Sequence, residues 1–320
     1  MSVLITKPGI LTTVQDLGRN RYRRFGVNPN GVMDHAAARI ANILVGNGES
    51  AAVLEMHYPA AEIEFEDEAL SIICGADMRP ELDGSAIENW RPFVTKTGSV
   101  LRFKGKKTGN RSYLAVGGGF QVSEWLGSAS TNLLAKFGGI RGRRLEAGQR
   151  IEYIRSLIDP STVGLRLSNS LVPSYSDFPT VRIVAGAEFE RLSKKTRGNL
   201  LDGSFGISAD SDRMGYRLKG EAIELDKDFE LVSSAVDKGT IQLLPNGQLI
   251  LLMADHQTTG GYPRVGHVIS ADMPIAAQLG PGDKITFDLV TIDEAQKAIC
   301  RFEFELNKLK WGCRLRRKIF

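Results

Sequence analysis

The stretch Gln257-Thr258-Thr259-Gly260-Gly261-Tyr262-Pro263 carries more hydrogen-bonding capacity than an ordinary hairpin turn needs. Gln257 and the two threonine hydroxyls can each donate and accept. The two glycines let the backbone approach a ligand closely or take a positive φ. Such a stretch can hold a small polar or anionic molecule and aim donors at a developing oxyanion. It can also be a glycine-rich hairpin with polar decoration. A second polar, glycine-punctuated stretch, Thr12-Thr13-Val14-Gln15-Asp16-Leu17-Gly18-Arg19, lies near the other end of the chain. The working expectation is that the two contribute to one site.

Arg19 could clamp a carboxylate or phosphate through a bidentate fork. Asp16 could act in the chemistry or pair with Arg19 and hold the loop. Arg213, close to Tyr216, could be a further anion clamp or a turn salt bridge. Ser128 belongs to a hydroxyl-rich loop, Leu126 to Thr131, followed by Gly138-Gly139. Asp34 reads as a helix cap before it reads as a catalyst. Of the four histidines, His35, His57, His256 and His267, none is at metal-ligand spacing, so no metal is expected. His256 adjoins the Gln257 stretch and is the histidine expected at a site. The sequence has no Walker A loop, no GxGxxG opening a βαβ unit, no HExxH and no GxSxG.

The elements that must position these residues read as mainly β. Asp34 caps a helix whose Ala37, Ile40, Ala41 and Leu44 share a face and which Gly46 ends. Glu62 to Glu66 alternates strictly, as a half-exposed strand does. Short strands follow at Leu70–Cys74, Val100–Phe103, Ser112–Val116 and Arg150–Ile154, a spacing that fits a barrel or sandwich. The pattern then repeats: Cys74-Gly75-Ala76-Asp77-Met78 with Ala185-Gly186-Ala187-Glu188-Phe189, Gly98 with Gly239, and Gly148 with Gly282, each before a strand or turn. This suggests duplication. The expected divisions are an N-terminal segment 1–66, a first β unit 67–155, a linker 156–178, a second β unit 179–290, and a C-terminal helix from Asp293 to about Leu306 with a basic tail, 291–320.

Composition bounds the function. The 320 residues are 42% hydrophobic and 24% charged, as in a soluble globular protein. No apolar run is long enough to span a bilayer and no signal peptide is read at the start. Cys74, Cys300 and Cys313 are scattered, which suggests a reducing, cytoplasmic setting. Lys308, Lys310, Arg314, Arg316, Arg317 and Lys318 contribute +6 to a net charge of +4, so the rest of the chain stands at −2. The body is therefore not a basic nucleic-acid binder; the tail could touch RNA, a membrane surface or an acidic partner, but is expected first to be a solvated, frayed end.

Taken in order, Thr12 to Arg19, Gly31-Val32-Met33-Asp34, Ala41 to Asn47, Leu54-Glu55, Tyr113 to Val116, Leu126-Gly127-Ser128, Ser130-Thr131, Ser211 to Gly215 and Gln257 to Pro263 resemble the carboxyltransferase subdomain C/D family, also called allophanate hydrolase subunit 2. The resemblance runs from about residue 3 to 298 and implies two tandem cyclophilin-like β-barrels with a few short helices. It implies, first, the C-type component of an ATP-dependent 5-oxoprolinase that converts 5-oxo-L-proline to L-glutamate. It allows a biotin-dependent carboxyltransferase acting on urea or another amide, and a non-catalytic antagonist of a kinase inhibitor. The residues it points to are Gln257, Thr258, Tyr262 and Asp16 for catalysis, and Arg19, Arg213, Thr259, Gly260, Gly261 and Ser128 for substrate. ATP, or biotin, would be the cofactor of the complex. The implied partners are a B-type protein with the carboxyltransferase A/B subdomain, an A-type protein of the LamB/YcsF kind, and a small amide or lactam; neither nucleic acid nor membrane is expected. The chain departs from the family at Ala129 and His256, where arginine is usual or frequent, at Val32, usually alanine, and in its basic tail.

Overall fold

A computed structural model of the protein describes all residues except 157, 159, 164, 169–170, 227–230 and 320. Asp159, Asn169 and Ser170 of the expected linker thus lie outside the described residues. The chain is mainly β and divides into two compact units. The first comprises Met1–Arg19, Asn30–Ser174 and Glu303–Phe320; the second comprises Asn20–Pro29 and Tyr175–Phe302.

In the first unit alternation does the sorting. Val3 and Ile5 of strand Ser2–Lys7, and Ile63 and Phe65 of strand Glu62–Phe65, turn inward and are fully buried, while their neighbours face outward. These two strands pair antiparallel, with Val3 opposite Phe65. They lie in a six-stranded sheet that also holds Val100–Phe103 and Arg150–Glu152. A five-stranded sheet is built on Ala69–Asp77 and Thr108–Val116, with Val53–His57 and Thr12–Gln15 on one side. Leu54, Met56, Ile73, Leu114 and Val116 from this sheet meet Val3, Ile5, Ile63, Phe65 and Ile151 from the other in one core. Of the N-terminal residues 1–66, the strands Ser2–Lys7, Thr12–Gln15, Val53–His57 and Glu62–Phe65 lie in the first unit's sheets, while Asn20–Pro29 belong to the second unit. Local periodicity identifies strands but not which distant strand each will pair with.

The helix His35–Val45 forms where its cap and apolar face require it. Asp34 accepts from Ala37 N at 2.9 Å, and Gly46 closes the end at φ 89°.

The second unit is a closed barrel. Its strands run in the order Thr180–Ala185, Arg264–Val268, Thr240–Leu243, Leu249–Leu252, Gly215–Lys219, Phe205–Ile207 and Lys284–Leu289, and the last closes parallel onto the first. Ile183, Phe205, Tyr216, Leu218, Ile241, Leu251, Val265, Ile285 and Phe287 are buried in it. Gly98 and Gly239, paired in the sequence repeat, both take positive φ (83° and 96°), as do Gly148 and Gly282 (83° and 91°).

The last helix runs from Ile292 to Ile319, well past Leu306. The tail expected to fray is helical because Leu, Lys and Arg are good helix formers and Gly312 is the single breaker in it. Leu306 and Cys313, one heptad apart, are both buried.

Replacing Asp34 by Ala should lower unfolding stability by at least about 1 kcal/mol, the usual worth of an N-cap. Urea denaturation with an unchanged midpoint would show that the cap contributes nothing.

Candidate functional site

The sequence-derived candidates fall into two polar centres, one in each unit. In the first unit Asp16, Arg19 and Ser128 come together, all nearly or fully buried. The Asp16 carboxylate accepts four hydrogen bonds: from Ser128 Oγ (2.6 Å), Ser130 Oγ (2.5 Å), Gly18 N (2.7 Å) and Ala129 N (2.7 Å). It ties the end of strand Thr12–Gln15 to the loop 128–131. The Arg19 guanidinium is 4.8 Å from the centre of Phe137 and 5.6 Å from that of Trp125. It donates to Asn30 Oδ1 (2.6 Å) and to the carbonyl of Ser130 (2.5 Å). A side chain at Gly138, which has φ 69°, would overlap Ser130 O and come within 3.0 Å of the guanidinium. Ala129 is itself buried in the core, with its N–H on Asp16. Ser130, Asn30 and Phe137 complete this centre. The hydroxyl-rich loop was the signal for Ser130; nothing marked Asn30 or Phe137. The carboxylate and the guanidinium together hold the loop.

In the second unit, Gln257 to Pro263 is exposed or half-buried along its length, and Tyr262 is 45% exposed. Thr259–Gly260 pairs as a short ladder with Ser234–Ala235, and Val236 N donates to Thr258 O at 3.2 Å. The loop rests on Gln242, which is buried. Gln257 Nε2 donates to Gln242 Oε1 at 3.2 Å, and the Gln242 amide nitrogen would meet a Cβ at Gly260 at 2.6 Å. Gln242 reaches the loop because the ladder slips there. Ile241 pairs with Gly266, but Gln242 pairs with Arg264, so Val265 is bulged out of register. A bulge of this kind re-aims one side chain.

Beside the loop lies a shallow cavity of about 260 Å³ lined by Arg23, Ala235, Asp237, Thr240, Arg264 and His267, among others. Arg23 forms an ion pair with Asp237 at 2.8 Å and donates to Val236 O at 2.6 Å. Arg264 is held in a fork by Glu188, at 2.9 and 3.1 Å. Burial raises the Glu188 carboxyl, but the hydrogen bonds from Arg264 outweigh it and leave the carboxyl below its usual range. Arg213 is likewise in a buried bidentate pair with Asp255, at 2.9 and 3.1 Å. Asp255 N also donates to Arg213 O, tying the two segments together through the backbone.

His256 is almost wholly buried. Its Nδ1 lies 2.6 Å from Gln257 O, and because a carbonyl can only accept, Nδ1 carries the proton. Nε2 then stands 3.7 Å from Asp237 Oδ1. Burial pushes both His256 and His267 below the ordinary imidazole value of 6.5, with Asp237 opposing the shift in each.

Arg23, Asp237, Thr240 and Gln242 were not singled out by sequence reasoning. The run Arg19-Asn20-Arg21-Tyr22-Arg23-Arg24 was a visible signal for the first. A buried glutamine within the strand Thr240–Leu243 shows itself only once the strand is paired. Chemically, the loop offers hydroxyl donors and acceptors, glycine backbone and a phenol, beside a cavity with a cation at its wall. Among the described residues no three His, Cys, Asp or Glu side chains stand together as a metal site.

Comparison with known proteins follows the same lines. The family model described as carboxyltransferase domain, subdomain A and B, matches residues 25–289. The chain belongs to this family. The subdomain letters C and D expected from the sequence are thereby corrected to A and B, so the A/B subdomain assigned to a partner is this chain's own. The C subunit of 5-oxoprolinase from Haemophilus influenzae is 35% identical over 298 residues, covering 93% of this chain and 94% of that one. Its counterpart of the same name from Escherichia coli K12 is 36% identical over 308 residues, covering 96% and 97%. The solved structure of the K. lactis urea amidolyase has the same fold, with a TM-score of 0.89 at 24% identity. The match covers 96% of this chain and 20% of that one, so the chain spans about a fifth of the amidolyase's length.

Two outcomes are expected. Gly138→Ala should destabilise the protein by clearly more than Gly148→Ala, which has a similar φ but open space around it; the second costs roughly 1 kcal/mol for backbone strain alone. Equal losses in a denaturation series would remove the packing argument. The histidines set a pH dependence. Their folded pKa lies below the unfolded value, so as pH falls below 6.5 the unfolded chain binds protons that the barrel refuses. Their contribution is complete above that pH and is lost below it. Melting temperature should decline between about pH 7 and pH 5, and less so in His256→Gln; an identical decline in the variant would contradict this.

Proposed function

We propose that this chain is the C-type component of an ATP-dependent 5-oxoprolinase, acting with partners of A and B type to open 5-oxo-L-proline to L-glutamate. The observation that carries the reading is end-to-end coverage: two proteins named as C subunits of 5-oxoprolinase match over nearly all of this chain and nearly all of themselves. The ring opening breaks the lactam C–N bond; water supplies the oxygen of the new carboxylate and the nitrogen leaves protonated. ATP would supply a phosphoryl group to the lactam oxygen, leaving ADP, and that group would depart as phosphate as the carboxylate forms. The arginines on which a triphosphate cradle would rest are committed within this chain: Arg213 to Asp255, Arg264 to Glu188, and Arg19 buried in its loop. The reading gives nucleotide binding to a partner.

The lactam presents one carbonyl, one N–H and one carboxylate. In this reading the Tyr262 hydroxyl and the backbone amide at Gly261 face the carbonyl oxygen as negative charge develops on it. The threonine hydroxyls of Thr258 and Thr259 accept from the ring nitrogen. Arg23, which pairs with Asp237 at the cavity wall, would turn to meet the carboxylate. Gln257, paired with Gln242, orients the loop.

A second reading is carboxyl transfer from biotin to an amide, and the description of the matched family, a carboxyltransferase domain, favours it. The two separate in one assay. The chain is co-expressed with its A-type and B-type partners, and glutamate and ADP formed from 5-oxoproline are followed with and without it. Glutamate that depends on this chain supports the proposal; none from an assembled complex rejects it and turns attention to biotin. In the active complex Tyr262→Phe should lower kcat about ten- to a hundredfold. Arg23→Ala should act chiefly on KM.

A further inference from the structure

The helix Ile292–Ile319 lies beyond the matched family region, and from Glu303 onward it belongs to the first unit. One of its faces is held there. Leu306 and Cys313 are buried, Arg39 donates twice to the Glu303 carboxylate at 2.5 and 2.8 Å, and Lys310 Nζ donates to Glu49 at 2.6 Å. At about 3.6 residues per turn, Phe304, Lys308, Trp311 and Leu315 fall on the opposite face. Phe304, Trp311 and Leu315 are 63%, 60% and 57% exposed. Cations accompany the rings: Lys308 Nζ is 5.5 Å from the centre of Phe304, and the Arg314 guanidinium 5.5 Å from that of Trp311. From Leu306 to Ile319 the sequence holds six Lys and Arg and no acid, while the rest of the chain is net negative.

We propose that this face seats the protein on an anionic lipid surface. Three large apolar side chains in line, one a tryptophan, with cations beside them, match the two layers of a bilayer leaflet: acyl chains beneath and negative headgroups above. A nucleic acid would satisfy the charge but gain nothing from Leu315 or from the length of the apolar line. The net positive excess is confined to residues 306–319 of this helix, as contact through that segment alone requires. This replaces the sequence-based expectation of a solvated tail with no membrane partner. No helix among the described residues is long and apolar enough to cross a membrane, so the contact is peripheral.

The test is flotation of the full chain with phosphatidylcholine vesicles and with vesicles of equal parts phosphatidylcholine and phosphatidylglycerol. Two variants accompany it, Phe304→Ser/Trp311→Ser/Leu315→Ser and Arg314→Glu/Arg316→Glu. All five positions are exposed, and melting curves check that the variants fold. The wild type should float with the anionic vesicles at least about tenfold more than with neutral ones, and each variant should lose that excess. Absence of flotation with anionic vesicles overturns the proposal. So does flotation that survives the serine substitutions, which would mark a basic tail acting by charge alone. Binding of the same face to an acidic protein that anionic vesicles fail to displace overturns it as well.

Discussion

A carboxylate or guanidinium taken out of water must find its partners inside the protein, and in this chain that constraint separates the polar residues that hold the fold from those left to act. Asp16 is met by two hydroxyls and two backbone amides. Arg19 is met by carbonyls, an amide oxygen and two aromatic rings. Arg213 meets Asp255 and Arg264 meets Glu188, each in a two-pronged pair. Breaking a buried pair of this kind by removing one partner costs about 3–5 kcal/mol, because the other charge is left stranded. The polar residues left at the surface of the second unit are those of the loop Gln257 to Pro263.

The sequence carried the local structure well. The Asp34 cap, the alanine-rich face and Gly46 define a helix by themselves, and strict alternation defines the strand Glu62–Phe65. The glycine loop stood out in the sequence because two glycines lie among hydroxyls, a pattern that a polar hairpin also gives. Roles were harder to read. An arginine in a polar loop looks the same in sequence whether its guanidinium meets a ligand or packs against the rings of Trp125 and Phe137. The deciding contact, with Ser130 O, comes from a residue over a hundred positions away. Gln242 was hidden for a related reason: its importance depends on a register slip between two strands, and register is a tertiary property.

Pairing was the other limit. The N-terminal strand reads as a short introduction to the chain, yet it lies between Glu62–Phe65 and Arg150–Glu152 in the first sheet. The terminal helix reads as ending near Leu306 because the apolar periodicity weakens there. It continues because intrinsic propensity and the buried Cys313 sustain it, leaving a second apolar line facing outward.

The central claim is that polarity in the first unit is scaffold and polarity in the loop of the second unit is chemistry. The most direct measurement is turnover per folded molecule in the assembled enzyme, determined side by side for Arg19→Lys and Gln257→Ala, with the folded fraction taken from melting curves. The account predicts that Arg19→Lys lowers the melting temperature but turns over normally once corrected for folding, while Gln257→Ala melts like the wild type and turns over slowly. A stable Arg19→Lys with lost turnover, beside a fully active Gln257→Ala, would contradict it.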